Sequence, residues 1–383
     1  MNKFYIFLIK HFEIKFLVKK SKFNMFSKIL IIYLFFTLQT INFFQIKLTT
    51  LNSTSAIAKT KSSPSKEDHR LENFLLSTEG RDDWTKIMLA ILNGVHALER
   101  ILEQDIRVNT RGTNKFSGVT PLMFASGIGK QATVELLVKK AARLNDTDSQ
   151  GETALIHATK KGHLDIVRYL INKGANTNAE TNQKWTALMF AAQRGFTEIL
   201  ITLLKHGAKI DSQNNLGMSS KMYAARNGHL EIVKFLLKRG AKVDLISRNG
   251  STSLIWATRS GHENIAELLI EAGSKTDFLE NEFQRTPLLL AAMYGRESTV
   301  KKLLSSGVNL EAVDKQGANA LMLALNNKYL KISNLLIKAG ISINTHDKKN
   351  RTPLMLAVSQ GSTDLTKILI NKGVDVNARD INK

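Results

Sequence analysis

Cysteine is absent from all 383 residues. That absence excludes disulfide frameworks, Cys-based zinc and iron–sulfur sites, c-type haem attachment and thiol nucleophiles, so stability has to come from packing. Acidic residues are also short, 33 against 54 Lys and Arg, for a formal charge of +21. An excess of that sign attracts acidic partners, whether nucleic acid, an anionic membrane or an acidic protein face, and does not bear on fold. Proline is scarce, with 4 residues, and glycine is not, with 23. Apolar residues make up 43% and charged residues 23%, the composition of a soluble chain able to bury a core.

Residues 1–58 stand apart, with eight Lys and one acid, Glu13. The apolar run Phe4 to Ile9 is too short to span a bilayer as a helix, which takes about 20 residues. The uncharged run at 29–46 is borderline, and seven lysines precede it while only Lys47 follows closely. The positive-inside rule then leaves the N-terminus in the cytoplasm and sends the remainder across. Ser55-Ala56-Ile57-Ala58 offers a small-x-small cleavage site. Two readings follow: secretion after cleavage near Ala58, or a membrane anchor at 29–46 with the rest outside. A start at Met25 would shorten the basic leader to an ordinary signal length, and a tail with no membrane role is the bland alternative. Residues 59–81, rich in Ser, Thr and Lys around Pro64, read as a linker.

Beyond the linker the chain repeats itself. Thr-x-Leu or a relative begins at Thr120, Thr153, Thr186, Ser219, Thr252, Thr286, Asn319 and Thr352, spaced by 33 residues with a single 34 near Glu282. Ala follows five residues after each, where a small side chain lets helices approach closely. Nineteen of the 23 glycines hold one of three positions in the unit, and Pro121, Pro287 and Pro353 share another. Thr caps a helix N-terminus by accepting a backbone N–H, and Pro suits the first turn, where its missing donor costs nothing. Gly takes the left-handed conformation that ends a helix. Amphipathic runs such as His229 to Arg239 supply the second helix of each unit.

The unit Gly151-x-Thr-Ala-Leu-x-x-Ala158, with Gly162-His163-x-x-Ile-Val and Gly174-Ala175-x-x-Asn178, resembles the ankyrin repeat. The resemblance implies an all-α solenoid of stacked helix-turn-helix units with β-turn loops, at residues 118–383 in eight copies near 118–150, 151–183, 184–216, 217–249, 250–283, 284–316, 317–349 and 350–383. A degenerate N-terminal copy at 82–117, marked by Trp84, Ile87, Ala90 and Gly94, caps the array. Two departures matter. The family's His after Thr-Pro-Leu is replaced throughout by Met, Ile or Leu, so coupling between repeats is expected to be more hydrophobic and less polar. Ser219-Ser220-Lys221 replaces Thr-Pro-Leu in the fourth copy, a soft spot together with Ala141 and Lys328, which stand where helix-ending Gly is expected.

Catalytic chemistry finds no footing. Gly127-Ile-Gly-Lys130 lacks the leading Gly and the magnesium-binding Ser or Thr of a phosphate loop. His163, His229 and His262 fall one or two repeats apart rather than one helical turn, and read as second-helix starts, not metal ligands. No metal, cofactor or catalytic residue is assigned. Phe124, Phe190, Tyr223 and Trp256 share one first-helix position, which reads as core rather than a stacking platform for bases.

The resemblance places partner binding on the concave face formed by loop tips and first-helix ends. Mapped there are Lys160, Lys161, Trp185, Arg194, Arg226, Arg259, Phe283 and Tyr294, five basic residues with three aromatics. Trp, Tyr and Arg dominate interface hot spots. The expected function is a monomeric, non-enzymatic scaffold binding an acidic partner protein. Lys outnumbers Arg 38 to 16, which is similar to ankyrin proteins of AT-rich intracellular bacteria, where the partner would be a host protein. Nucleic-acid binding through net charge, or a structural membrane-anchored protein without a specific ligand, are the alternatives.

Overall fold

The computed structural model describes residues 82–381 except 105, 114 and 115; the segment proposed as signal or anchor lies outside the described residues. Among the described residues there are 18 α-helices, arranged as nine hairpins, and no extended sheet. The first hairpin is α1 (Asp83–Asn93) and α2 (Val95–Leu102). Then come α3 (Pro121–Gly127) with α4 (Gln131–Lys139), α5 (Ala154–Lys161) with α6 (Leu164–Asn172), and α7 (Ala187–Arg194) with α8 (Thr197–Lys205). They are followed by α9 (Ser220–Asn227) with α10 (Leu230–Lys238) and α11 (Ser253–Ser260) with α12 (Glu263–Glu271). The last three are α13 (Pro287–Tyr294) with α14 (Glu297–Ser305), α15 (Ala320–Asn326) with α16 (Leu330–Lys338), and α17 (Pro353–Ser359) with α18 (Thr363–Asn371).

Each first helix from α3 onward starts where the repeat predicts. The side chains of Thr120, Thr153, Thr186, Ser219, Thr252, Thr286, Asn319 and Thr352 accept from the backbone N–H three residues on, at 3.0 to 3.4 Å. Every Ala of the column Ala125 to Ala357 is fully buried. Because these residues are small, first helices pack tightly on first helices, more closely than second helices on second helices. The stack therefore bends toward its first-helix side, which becomes the inner face. Leu sits two residues after the cap in seven of the eight repeats, and Lys221 takes that column in the fourth, 2% exposed. Ala141 and Lys328 both adopt positive φ, 62° each, where neighbouring repeats use glycine.

Between hairpins the chain makes fingers held by one hub residue. Asp148, Asn214, Asp314 and Asp347 each accept from the N–H groups two and four residues on, at 2.8 to 3.1 Å. Adjacent fingers share one main-chain bond per junction, from Ser149 N to Ser117 O through to Ile381 N to Lys349 O.

Polar bonds also cross between repeats away from the position of the family's replaced His. Asn109, Asn145, Asn178, Asp211, Asp244 and Asn344 each accept from a backbone N–H of the following repeat. In addition, Nε2 of His163, His229 and His262 donates to Gly127 O, Gln193 O and Arg226 O of the preceding repeat at 3.1 to 3.2 Å. These histidines do stand at the starts of second helices, and they also join repeats. At Gly228, with φ 82°, an added Cβ would lie 2.6 Å from His262 Cε1. Gly228→Ala therefore combines left-handed strain with displacement of a joining histidine. It is expected to cost about 2 kcal/mol, checked by chemical denaturation of the full chain.

Candidate functional site on the concave face

First-helix positions four and seven residues after the cap lie on one side of the helix, because three residues make nearly one turn. Five repeats carry a ring at the earlier position: Phe124, His157, Phe190, Tyr223 and Trp256. Phe124, Phe190 and Trp256 are half-buried and Tyr223 is buried, so the column packs as expected of core while keeping an edge at the surface. At the later position Lys160, Arg226 and Arg259 supply cations.

The stack interleaves the two columns across repeats. Lys160 Nζ lies 5.2 Å from the Phe190 ring centroid, and Arg226 Cζ 4.9 Å from that of Trp256. In each case the cation of one repeat covers the ring of the next. Arg259 approaches the same Trp256 ring at 5.8 Å. Trp185, half-buried in its finger, stacks on Phe190 at 4.7 Å and lies against Tyr223 at 4.4 Å. Two near-parallel neighbours at those distances occupy both of its faces. Met189, Met218, Met222 and Tyr223 form a small core beneath, with Trp185, Leu245 and Trp256 packed against it. Burial holds the Tyr223 phenol above its ordinary value, opposed only in part by the hydrogen bond from Asn214 and by the charge of Arg226.

Acids thin the positive charge of this face. Lys160 donates to both oxygens of Glu152 at 2.6 and 2.8 Å, and Arg259 pairs with Glu280 at 3.2 Å. Glu280 is 2% exposed, so the finger holds its partner from inside. Of the five bases mapped to this face, two are thus neutralised. Arg285 and Arg351 are likewise held, by Asp314 and Asp347. Lys161, Arg194 and Arg226 remain exposed with no carboxylate partner among the described residues. Phe283 is half-buried under Arg285, whose Cζ lies 4.5 Å from its ring, and Tyr294 is half-buried at the end of α13.

Asp148, Glu152 and His157 bring their ligand-type atoms within 4.8 Å of one another. His157 Nε2 contacts Asp148 Oδ2 at 2.9 Å, and the Lys160 ammonium holds the place beside Glu152 that a cation would take. Burial alone would raise the Asp148 carboxyl, but the bonds from His157, Glu152 N–H and Gln150 N–H outweigh it and hold it low. The group is a finger clasp linking hub, cap and helix end.

The family model for ankyrin repeats in three copies matches at residues 87–181, 143–214, 188–280, 221–314, 254–347 and 288–380, an unbroken stretch over most of the chain. The chain belongs to the ankyrin repeat family. No curated protein matches the chain. Ankyrin repeats are in general protein–protein interaction modules, and the family is typically a non-enzymatic scaffold. Among the described residues of this ankyrin protein, no helix is long and apolar enough to cross a membrane.

Sequence reasoning missed the acids that quench Lys160 and Arg259. Glu152, directly before its cap, was visible as a signal, because it lies about two helical turns from Lys160. Glu280 was obscured because the insertion near Glu282 sets it six residues before its cap, Thr286, where the other hubs stand five before theirs.

Proposed function

We propose that this chain is a non-enzymatic scaffold whose concave face, at the third and fourth repeats, binds an acidic surface of another protein. One observation carries the reading: Arg226 is exposed, unpaired with any described carboxylate and laid on the Trp256 ring. A guanidinium fixed by stacking keeps its donor edge free and loses little rotamer freedom on binding. Arg194 stands exposed at the end of α7, the preceding first helix, and Lys161 at the end of α5, the one before. Where Lys160 and Arg259 are already neutralised, the partner's acids would gain little.

Nucleic-acid binding is the weaker reading. Stacking of bases needs an open ring face, and Trp185 has both faces covered by Phe190 and Tyr223. The basic leader and the run at 29–46 support export, by cleavage near Ala58 or by tethering with the repeats outside. Lys59 as the N-terminal residue of the mature protein would mark cleavage.

Affinity capture followed by titration of the recovered protein tests the binding claim. Arg194→Glu with Arg226→Glu is expected to weaken binding by roughly 10- to 100-fold, or about 1.4 to 2.8 kcal/mol, while Arg259→Gln changes it less than about threefold. Unchanged affinity in the double variant refutes the face. Binding that follows total charge rather than these positions favours a polyanion.

A further inference from the structure

The last described hairpin, α17 with α18, exposes positions that the preceding repeats keep covered. The column six residues after the cap runs from Ser126 to Leu325 at no more than 1% exposure, whereas Val358 in the same column is 58% exposed. Ile370 is 48% exposed in a second-helix column that is buried or half-buried from Val138 to Ile337. On the finger after α18, Val376 is 59% exposed in a column buried or half-buried from Leu144 to Ile343. Met355 is half-buried where its equivalents from Met123 to Met322 are at most 1% exposed. Elsewhere in the array these columns lie against the hairpin and finger of the following repeat.

The face is formed and seated. In the last finger Asp375 N donates to Asn344 Oδ1 and Ile381 N to Lys349 O, both at 3.1 Å. Between that finger and α17 lies a recess of about 360 Å3 lined by Met355, Ser359, Ala378 and Arg379. A terminal repeat that faces water needs a polar outer side. Here Thr366, one turn before Ile370, is polar, but Val358, Ile370 and Val376 are not.

We infer that this end face is a homodimer contact, taking the same face of a second copy across a two-fold axis. Charge permits that occupant and favours no other. Residues 352–381 hold Asp364, Asp375 and Asp380 against Lys367, Lys372 and Arg379, a net charge of zero. An acidic protein and the lysine-rich residues 1–58 would each find no opposite surplus there, while a second copy meets no local repulsion. Charge elsewhere in the array is screened within about 8 Å at physiological salt. Apolar matching sets like against like. Among the described residues α1 and α2 expose one large apolar side chain, Leu92 at 41%, so a head-to-tail contact would leave most of the face unmatched. A two-fold contact sets the patch of Val358, Ile370 and Val376 against itself, and because one patch serves both copies the assembly closes at two. The dimer replaces the monomer expected from the sequence and does not depend on the concave-face reading.

Sedimentation velocity of the full chain at about 1–100 µM is expected to show reversible monomer–dimer association. Val358→Glu with Ile370→Glu should weaken it by about tenfold or more. Both side chains are exposed in the free chain, so this variant should melt within about 2 °C of the parent, which verifies its fold. The Arg194→Glu/Arg226→Glu variant should dimerise as the parent does. Raising salt from about 0.1 to 0.5 M should leave association unchanged or tighter. Because the chain has no cysteine, single introduced thiols report which ends meet. A short bismaleimide should link the Thr366→Cys variant into dimers and leave the His96→Cys variant, whose native side chain is 92% exposed in the first hairpin, unlinked. A parent that stays monomeric across the range, whatever else covers the face, overturns the inference. So does dissociation by salt, equal dimerisation of the Val358→Glu/Ile370→Glu variant, linkage through His96→Cys, or an assembly larger than two.

Discussion

Asp314→Ala should lower the stability of the junction between the sixth and seventh repeats by about 3–5 kcal/mol. Asp314 is 5% exposed, and one oxygen takes the N–H groups of Gln316 and Ala318 at 2.8 and 3.1 Å. Its other oxygen pairs with Arg285 at 3.1 and 3.2 Å. Truncation orphans two backbone donors and leaves a mostly buried guanidinium without its counter-ion, and each loss is costly because desolvation is no longer offset. Asp314→Asn keeps an acceptor for the backbone but loses the charge, so it should fall between. A double-mutant cycle with Arg285→Met separates the two contributions, since the partnerless charge is present only in the single variants. Repeat arrays respond locally, each unit depending on its neighbours. Hydrogen exchange should therefore accelerate by roughly 10²- to 10³-fold in residues 283–320, with little change at the fingers of the second and third repeats.

Lys221→Leu should do the opposite and raise stability by about 1–4 kcal/mol. This lysine stands in a leucine column, 2% exposed, with Nζ donating to Lys242 O and Val243 O at 2.6 and 2.9 Å. The two carbonyls take two of its three hydrogens without neutralising its charge. Burial pulls the ammonium down to about 8 from 10.5, against the attraction of Asp211 and Asp244, which raises it. Between these values the unfolded chain holds a proton that the folded chain has released, so stability rises with pH through that window. Below about pH 8 both states are protonated and the folded chain bears the full burden, of order 3 kcal/mol. Thermal melts from pH 7 to 10.5 should show parent stability climbing toward that of Lys221→Leu. A constant gap across that range would mean the buried charge is not the cause. Because the fourth repeat sits mid-array, the substitution should also slow exchange in the third and fifth.

The architecture was legible because each helix boundary has its own chemical mark. Caps such as Thr153, prolines such as Pro287 and the alanine column each restrict one position, and their agreement at a 33-residue period fixes the stacking. What crosses between repeats was harder to read. His229 reaches a carbonyl 36 residues earlier, and Arg259 finds Glu280 in the next finger. Neither contact leaves a local pattern, because the acceptor is backbone in one case and, in the other, separated from its cap by an insertion. The pairing of bases on this face was also hard to read, since a base at the end of a first helix is free only if the finger beside it lacks an acid. Trp185 shows a related limit: its type suggests an anchor, whereas Phe190 and Tyr223 leave it only an edge to offer.

The central claim is that partner contact centres on Arg194 and Arg226 in the concave face. Hydrogen exchange on the full chain, with and without the captured acidic protein, tests it most directly. Protection is expected in residues 185–194, 219–227 and 253–260 and absent from α8, α10 and α12. Protection confined to those second helices, or none in the three first-helix segments, would contradict it.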